Sequence, residues 1–428
     1  MSNSLEEKIN YQGKLVEGGK FNEALTLSQE LNRDYPDDIR VLNNMALAYK
    51  NLGHTNEARN IFLKIIEMDH DPKLSAVYSN AGSLLFNLGE TKKSIEANKI
   101  AIKFNEKDHN ALNNMGLAFS ELGDLDNAID SYKRSLEINP KHDATNYNLA
   151  NIYRITRNYK EAIKLYDFTK ERLSKSNQLE CIYKDNNKEL FNKKLKSLID
   201  NDQLQPLIAS LSSHAAIRYN QEDNYPFCPN PIDFICKFEL YQDDRFNDQF
   251  LFNLANEINN AQIDKKSQSL LKNGFQSSGN IFLQNLPNVK ILQAIVQDHI
   301  EKYYNNFAEK DDFFIKSWPK NYQLIGWVVI MQNSGSLLPH MHKEGWVSGS
   351  LYLNIPEKRS NNEGNIKFSL DGGDYPNDGK NYPEKIVDIK RGDLVMFPSS
   401  LFHSTIPFES EENRISFAFD LMPKLKKI

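Results

Sequence analysis

The chain has 428 residues, 40% of them hydrophobic and 25% charged, with a formal net charge of −5 at pH 7. This length allows two or three domains with separate cores, and the composition is that of a globular protein rather than a disordered one. The mild negative charge argues against nucleic acid or an anionic membrane as the main partner. No apolar run has the length of a signal peptide or of a membrane span, so we expect a cytoplasmic protein.

The cysteine pattern indicates neither a disulfide framework nor a zinc site. Cys181, Cys228 and Cys236 are odd in number and lack a second closely spaced pair. We therefore expect buried or half-buried thiols in a reducing compartment.

The first 170 residues repeat a motif of small and bulky residues. Repeats begin near Leu5, Ile39, Ser75, His109 and Asp143, at spacings of 34, 36, 34 and 34 residues. A small residue recurs on the first helix of each repeat except the first, which has Gln12: Ala46, Gly82, Gly116 and Ala150. Small residues recur on the second helix: Ala24, Ala58, Ser94, Ala128 and Ala162. The turn between the helices carries Gly19, Gly53, Gly89 and Gly123, with Arg157 in the fifth repeat. Small residues let helices pack closely, so the pattern predicts stacked helix pairs.

This period and pattern resemble the tetratricopeptide repeat, which implies a solenoid of five repeats over residues 1–172 with a concave groove. The sixth position of every repeat is asparagine: Asn10, Asn44, Asn80, Asn114 and Asn148. Because an amide both donates and accepts hydrogen bonds, this ladder could hold the backbone of an extended peptide. It looks like the asparagine ladder of protein O-GlcNAc transferase. The alternative is that these asparagines only support helix packing.

The segment after the repeats remains helical without matching them. We predict a capping helix and linker over residues 173–213, and a second domain over residues 214–428 whose first hundred residues supply supporting helices. His299 lies on the polar side of one of these helices, where we expect an exposed side chain.

From Tyr322 onward, short β-type runs alternate with Gly, Pro, Asn and Asp, which predicts an all-β barrel or sandwich. His340 and His342 form an H-x-H pair on a predicted strand, and His403 follows in a G-x5-P-x4-H stretch that begins at Gly392. A histidine pair with a distant third ligand is typical of a facial metal site with open positions.

Arg414 and Ser416 share one face of the next predicted strand. A guanidinium and a hydroxyl can grip a carboxylate, whereas a surface arginine on an edge strand is the plainer alternative. The C-terminal motifs resemble those of the Fe(II)/2-oxoglutarate-dependent oxygenases that often accompany tetratricopeptide repeats. The residues that carry this resemblance are His340, His342, Ser348 to Tyr352, Gly364 to Phe368, Phe397-Pro398, His403 and Arg414 to Ser416.

The resemblance implies a double-stranded β-helix (jelly-roll or cupin-like) over residues 320–424, with iron(II) held by His340, His342 and His403. Arg414 and Ser416 would bind 2-oxoglutarate, and Tyr352 would add a hydrogen bond. Trp327 and Trp346 would line the pocket or pack the barrel. The family usually has an acid where His342 stands, so either the three histidines bind the metal, or His340 and His403 bind it with water in place of the acid. Glu344 is a further candidate ligand.

We therefore expect a dioxygenase that hydroxylates a peptide or protein bound by the repeats. Three alternatives remain open: an oxygenase acting on a small molecule, a cupin-like metal-binding module without 2-oxoglutarate, and an inactive barrel on a protein-interaction scaffold. Arg414 and Ser416 discriminate against the cupin-like module, because such a module has no need of a carboxylate fork.

Overall fold

The computed structural model describes residues 4–68, 71–88, 90–200, 205–260, 265–266, 269–277, 279–284 and 286–424. The chain divides into two compact units, Met1–Gln178 and Leu179–Ile428. The turn glycine Gly89 lies outside the described residues. In the described part of the chain, no helix is both long and apolar enough to cross a membrane.

The first unit is a solenoid of helix pairs, as the repeats predict. Its helices are α1 (Leu5–Glu17), α2 (Phe21–Asp34), α3 (Ile39–Asn51), α4 (Thr55–Glu67), α5 (Ser75–Asn87), α6 (Thr91–Phe104), α7 (His109–Glu121), α8 (Leu125–Ile138), α9 (Asp143–Ile155) and α10 (Tyr159–Tyr166). The carboxylates of Asp38 and Asp108 accept from the first backbone N–H groups of α3 and α7, which satisfies donors that the helices leave open.

The small residues of the repeat sit where neighbouring helices touch. Ala46 and Ala58 are fully buried in the core that α3 to α6 share. At Gly116 an added Cβ would lie 2.5 Å from the ring of Tyr132, so only glycine fits there. The turn glycines Gly19, Gly53 and Gly123 have positive φ, and Arg157 adopts the same left-handed conformation in the fifth repeat.

The second unit begins within a helix. Its helices are α11 (Ser174–Lys184), which starts in the first unit, α12 (Lys188–Asp200), α13 (Pro206–Tyr219), α14 (Asp248–Asn260), α15 (Pro287–Phe307) and α16 (Phe313–Lys316). The boundary thus falls within α11, whereas the sequence analysis placed boundaries after residues 172 and 213. The first half of α11 contacts the last repeat through Gln178, whose side-chain amide donates to the Ile163 carbonyl at 2.8 Å.

The helix α13 explains this difference. It is buried on nearly all sides, as expected of a helix in the interior of a unit rather than of a linker. His214 on α13 stacks on Tyr382 at 4.2 Å between ring centroids, and Arg218 pairs with Asp378. The segment 179–219 therefore contributes to the core of the second unit.

One histidine is buried although the sequence analysis predicted an exposed side chain. His299 on α15 is only 4% exposed, and its Nδ1 lies 2.8 Å from the Ile295 carbonyl oxygen. The expectation of an exposed side chain was wrong, because the ring of Phe238 covers this face of the helix. The cysteines are as expected: Cys181 and Cys228 are buried and Cys236 is half-buried.

The second unit is built around a curled antiparallel sheet. Its strands are β1 (Cys236–Glu239), β2 (Lys265–Lys266), β3 (Leu271–Ser277), β4 (Tyr322–His340), β5 (Val347–Asn354), β6 (Ile366–Ser369), β7 (Glu384–Val387), β8 (Asp393–Pro398), β9 (Phe402–Thr405) and β10 (Arg414–Pro423). The strand order is β1-β8-β5-β10-β4-β9-β6-β7, with β3 also on β4 and β2 on β3.

The long strand β4 joins the two halves of this sheet. Its first half pairs with β10, and its second half pairs with β9 through Leu337 and His340. The register of β4 shifts between Leu337 and His340, which bends the strand there. Gly392, at φ 85°, makes the turn before β8.

Candidate metal and carboxylate site

Three histidines meet where β4 ends. His340 is the last residue of β4 and lies directly opposite His403 on β9, whereas His342 follows just beyond the end of the strand. One nitrogen of each ring lies within 4.8 Å of those of the other two. The ring centroids of His340 and His403 are 4.2 Å apart. The three predicted residues therefore converge, although 61 positions (403 − 342) separate the last two in the sequence.

The hydrogen bonds of these rings determine which nitrogen is free. The Nδ1 atoms of His340 and His403 face the carbonyl oxygens of Leu338 and Leu401, at 2.9 and 3.4 Å. The Nδ1 of His342 lies 2.6 Å from Oδ1 of Asp420. Carbonyl and carboxylate oxygens can only accept, so each Nδ1 carries the proton and donates. When such a ring is neutral, its Nε2 consequently keeps its lone pair, the form in which a histidine binds a metal.

Burial keeps two of these rings neutral. Burial, together with the neighbouring His342, lowers the pKa of His340 to about 4. Burial also holds the pKa of His403 well below its usual range, with the other two histidines adding to the effect. Neutral imidazoles on a partly open site suit iron(II) and its neighbours in the first transition series. The donor set therefore fits a divalent metal.

The histidines open onto a cavity of about 360 Å³. Alternate residues of β10 line it, because side chains two apart on a strand share a face: Arg414, Ser416, Ala418 and Asp420. The opposite walls are largely apolar and include Trp327, Val329, Met331, Leu337 and Phe397. Such a cavity can hold a small carboxylate beside a metal and exclude bulk water.

Arg414 is buried in this cavity and is only 2% exposed. Its Nε donates to the Gly364 carbonyl at 3.0 Å, and its guanidinium carbon lies 4.9 Å from the centroid of the Tyr352 ring. Among the described residues, no carboxylate forms an ion pair with it. The alternative of a surface arginine on an edge strand is wrong, because β10 lies between β4 and β5.

The surroundings of Arg414 are also prepared for a polar ligand. Burial lowers the pKa of its guanidinium, which nevertheless stays charged at neutral pH. Tyr352 is fully buried, and its hydroxyl makes no hydrogen bond of normal geometry although Ser350 and Arg414 lie near it. Ser416, opposite Tyr352 in the sheet, is 3% exposed. A cation and two hydroxyls thus face one cavity, and no carboxylate of the described residues is paired with that cation.

The sequence analysis missed Asp420. Its place on the strand face could be predicted from the sequence, because it continues the two-residue alternation of Arg414 and Ser416 along β10. Its contact with His342, 78 positions away, could not be predicted. Glu344, the candidate extra ligand, is not a member of the histidine cluster. Of the two candidate pocket tryptophans, Trp327 lines the cavity, whereas Trp346 is buried elsewhere and donates to the Phe314 carbonyl.

The asparagines of the repeats connect each repeat to the one before it. The side-chain nitrogens donate to groups on the preceding repeat at 3.1 to 3.3 Å: Asn44 to Gln12, Asn80 to Asn43, Asn114 to the Ser79 carbonyl, and Asn148 to Asn113. Asn10, in the first repeat, is exposed. Asn80 and Asn114 also line a groove of about 480 Å³ together with Ser79, Ser83 and Asn110. The asparagines of the later repeats therefore support the packing of neighbouring repeats, and Asn80 and Asn114 also line a polar groove.

Two kinds of family model match separate parts of the chain. Residues 326–420 match the family model described as "Putative 2OG-Fe(II) oxygenase". Residues 39–72, 109–142 and 131–164 match models of the tetratricopeptide repeat. The matched segments thus combine tetratricopeptide repeats with a "Putative 2OG-Fe(II) oxygenase" domain, as the sequence motifs indicated.

The curated relatives match only part of this chain. BBSome complex member BBS4 of Bos taurus is 28% identical over 121 residues, which are 28% of this chain and 23% of that protein. Heat shock protein STI1 of Saccharomyces cerevisiae is 27% identical over 118 residues, 28% of this chain and 19% of that protein. The chain therefore spans less than a quarter of the length of either relative.

Solved structures of low similarity include repeat proteins. A crystal structure of MamA is 21% identical and covers 44% of this chain and 99% of its own, with a TM-score of 0.34. The Pseudomonas aeruginosa pilF structure is 14% identical and covers 45% and 89%, with a TM-score of 0.40. YrrB, described as a TPR protein with an unusual peptide-binding site, is 18% identical and covers 45% and 91%, with a TM-score of 0.33.

Proposed function

We propose that the second unit is an Fe(II)/2-oxoglutarate-dependent dioxygenase with a double-stranded β-helix at its centre. The run β8-β5-β10 with the first half of β4, and the second half of β4 with β9-β6-β7, would form the two facing sheets. The family match over residues 326–420 supports this reading.

The observation that carries the proposal is the unpaired Arg414. Burying a charge without a partner costs several kcal/mol, so proteins rarely keep one without a use for it. The guanidinium shares its cavity with three histidines whose Nε2 lone pairs are free. A dicarboxylate with one end at the metal and the other at Arg414 would satisfy both groups. Within the proposal, 2-oxoglutarate is that ligand.

Within this proposal, each residue of the site has a separate role. His340, His342 and His403 would hold iron(II), and Arg414 with Ser416 would bind the distal carboxylate of 2-oxoglutarate. The Tyr352 hydroxyl, which makes no hydrogen bond of normal geometry in the part of the chain that the structure describes, would donate one to this ligand. When bound, iron(II), 2-oxoglutarate and dioxygen would supply the oxidation, in which a C–H bond becomes C–OH while 2-oxoglutarate becomes succinate and carbon dioxide. The apolar walls would keep water from the reacting atoms.

A spectroscopic experiment tests this proposal directly. The full chain is mixed anaerobically with iron(II) and 2-oxoglutarate, and the weak visible charge-transfer band of the chelate is recorded. Oxygen is then admitted and succinate is measured for wild type, Arg414→Ala and His342→Ala. We expect the band and slow succinate release in wild type and their loss in both variants. Bound iron without a band would refute the oxygenase and leave the cupin-like module. Failure to bind iron would indicate the inactive scaffold.

We further propose that the substrate is a peptide or protein side chain held by the repeats. The polar groove beside Asn80 and Asn114 supports this, because amides and hydroxyls can bind a peptide backbone irrespective of its sequence. In a candidate-peptide assay, the Asn80→Ala/Asn114→Ala double variant should lose peptide hydroxylation but keep peptide-independent succinate release. Asn22→Ala, an exposed asparagine on α2, is the control. Unchanged turnover in the double variant would favour a small-molecule substrate.

A further inference from the structure

Asp420 has a defined place beside the histidine cluster. Its Oδ1 accepts from the Nδ1–H of His342 at 2.6 Å and from the hydroxyl of Ser348 at 2.6 Å. Ser348 lies 2.8 Å from the hydroxyl of Ser399, which extends the chain of hydrogen bonds. The carboxylate is therefore held directly by two neighbours, His342 and Ser348, rather than left free in the cavity.

The sheet itself enforces this arrangement. Asp420 on β10 lies opposite Ser348 on β5, so both side chains leave the sheet on the same face. Gly345 provides the room, because a Cβ at that position would lie 2.5 Å from Oγ of Ser399 and 3.3 Å from Cγ of Asp420. His342 is fixed on its other side by its backbone N–H, which donates to the Ser399 carbonyl at 3.0 Å.

The contact also determines what Asp420 cannot do. It approaches His342 through Nδ1, and the two nitrogens of an imidazole point in different directions. A carboxylate bonded to Nδ1 therefore stands behind the ring, away from a metal on Nε2. Among the described residues, no lysine or arginine forms an ion pair with Asp420. Its charge thus lies beside His342 without a competing cation among these residues.

We propose that Asp420 is a positioning residue that supplies, one hydrogen bond away, the negative charge that a carboxylate ligand would bring to the metal. It fixes the Nδ1–H tautomer and the orientation of His342, and it makes that ring a stronger donor. This inference rests on the proposed metal site. It explains how a site of three histidines can hold a divalent ion without an acid among its ligands.

Metal affinity tests the inference without relying on turnover. Cobalt(II) is titrated anaerobically into wild type, Asp420→Asn and Asp420→Ala, and its visible ligand-field bands give the affinity. Asp420→Asn keeps an acceptor for Nδ1–H but loses the charge, whereas Asp420→Ala loses both. We expect about 10-fold weaker binding in the first and up to about 100-fold weaker binding in the second. Asp388→Asn makes the same charge change at an exposed site and should bind cobalt(II) like wild type.

A second readout uses the protein without metal. Nitrogen NMR of ¹⁵N-histidine-labelled chain, with His342 assigned by its loss in His342→Gln, reports the tautomer. Wild type and Asp420→Asn should show the Nδ1–H form, and Asp420→Ala should shift toward the Nε2–H form. Equal cobalt(II) affinities in all three proteins would overturn the role of Asp420 while leaving the metal site intact. Absence of cobalt(II) binding in wild type would instead overturn the metal site, and an unchanged tautomer in Asp420→Ala would then overturn the positioning role as well.

Discussion

Replacing Arg414 by methionine should separate its role in ligand binding from its role in folding. Methionine is apolar and similar in length, and the cavity wall already includes Met331. Replacing even a buried ion pair by apolar residues of similar volume is often neutral or stabilises a protein by about 1–4 kcal/mol, and Arg414 has no acidic partner among the described residues to lose. The lost hydrogen bond to the Gly364 carbonyl costs about 1 kcal/mol. We therefore expect the ligand-free variant to be as stable as wild type, or up to about 3 kcal/mol more stable.

The effect of the ligand should have the opposite sign. At a 2-oxoglutarate concentration of 100 Kd, binding stabilises wild type by about 2.7 kcal/mol. The variant loses two charge-assisted hydrogen bonds of about 1.5–3 kcal/mol each. Its affinity should thus fall by at least about 100-fold, and at the same concentration the ligand should add only about 0.4 kcal/mol.

Tryptophan fluorescence provides the assay. All three tryptophans, Trp318, Trp327 and Trp346, belong to the second unit, so their signal in urea reports its unfolding alone. Manganese(II) replaces iron to prevent turnover, and Arg359→Met, an exposed arginine of the same unit, is the control. A ligand-free Arg414→Met less stable than wild type by more than about 2 kcal/mol would refute the reasoning. Equal stabilisation of both proteins by 2-oxoglutarate would refute it too.

Three further predictions follow from single contacts. Burial lowers the pKa of His214 to about 4, whereas in the unfolded chain the same side chain is protonated near pH 6.5. Lowering the pH from 7 to 4 should therefore destabilise the metal-free second unit by about 3 kcal/mol. His214→Gln should remove this part of the pH dependence in urea titrations, and an unchanged slope would contradict it. Tyr352→Phe should leave the ligand-free second unit as stable as before but weaken 2-oxoglutarate binding by about 3- to 10-fold, because the lost hydroxyl makes no hydrogen bond of normal geometry among the described residues; a clear loss of stability in fluorescence would show that the hydroxyl is structural. Gly116→Ala should destabilise the first unit by about 1–3 kcal/mol, since its Cβ would press on Tyr132; circular dichroism melts should show this, and an unshifted transition would mean that the ring moves aside without cost.

The sequence alone determined the features that depend on neighbours along the chain. The repeat period specified helix pairs, because a small residue at every 34th or 36th position must meet the same partner in each repeat. The H-x-H pair and the alternation of Arg414 and Ser416 identified residues that share a strand face, because strand side chains alternate with a period of two. These local rules indicated the histidines and the arginine before any packing was known.

Only the tertiary structure decided which distant segments meet. It placed Asp420 behind His342, made α13 part of the core of the second unit, and covered His299 with Phe238. It also showed that Arg414 is buried without an acidic partner among the described residues, a fact that no pattern of residue types contains. The register between strands and the packing of helices on them depend on the whole set of contacts within a unit, and chain neighbours do not encode that set.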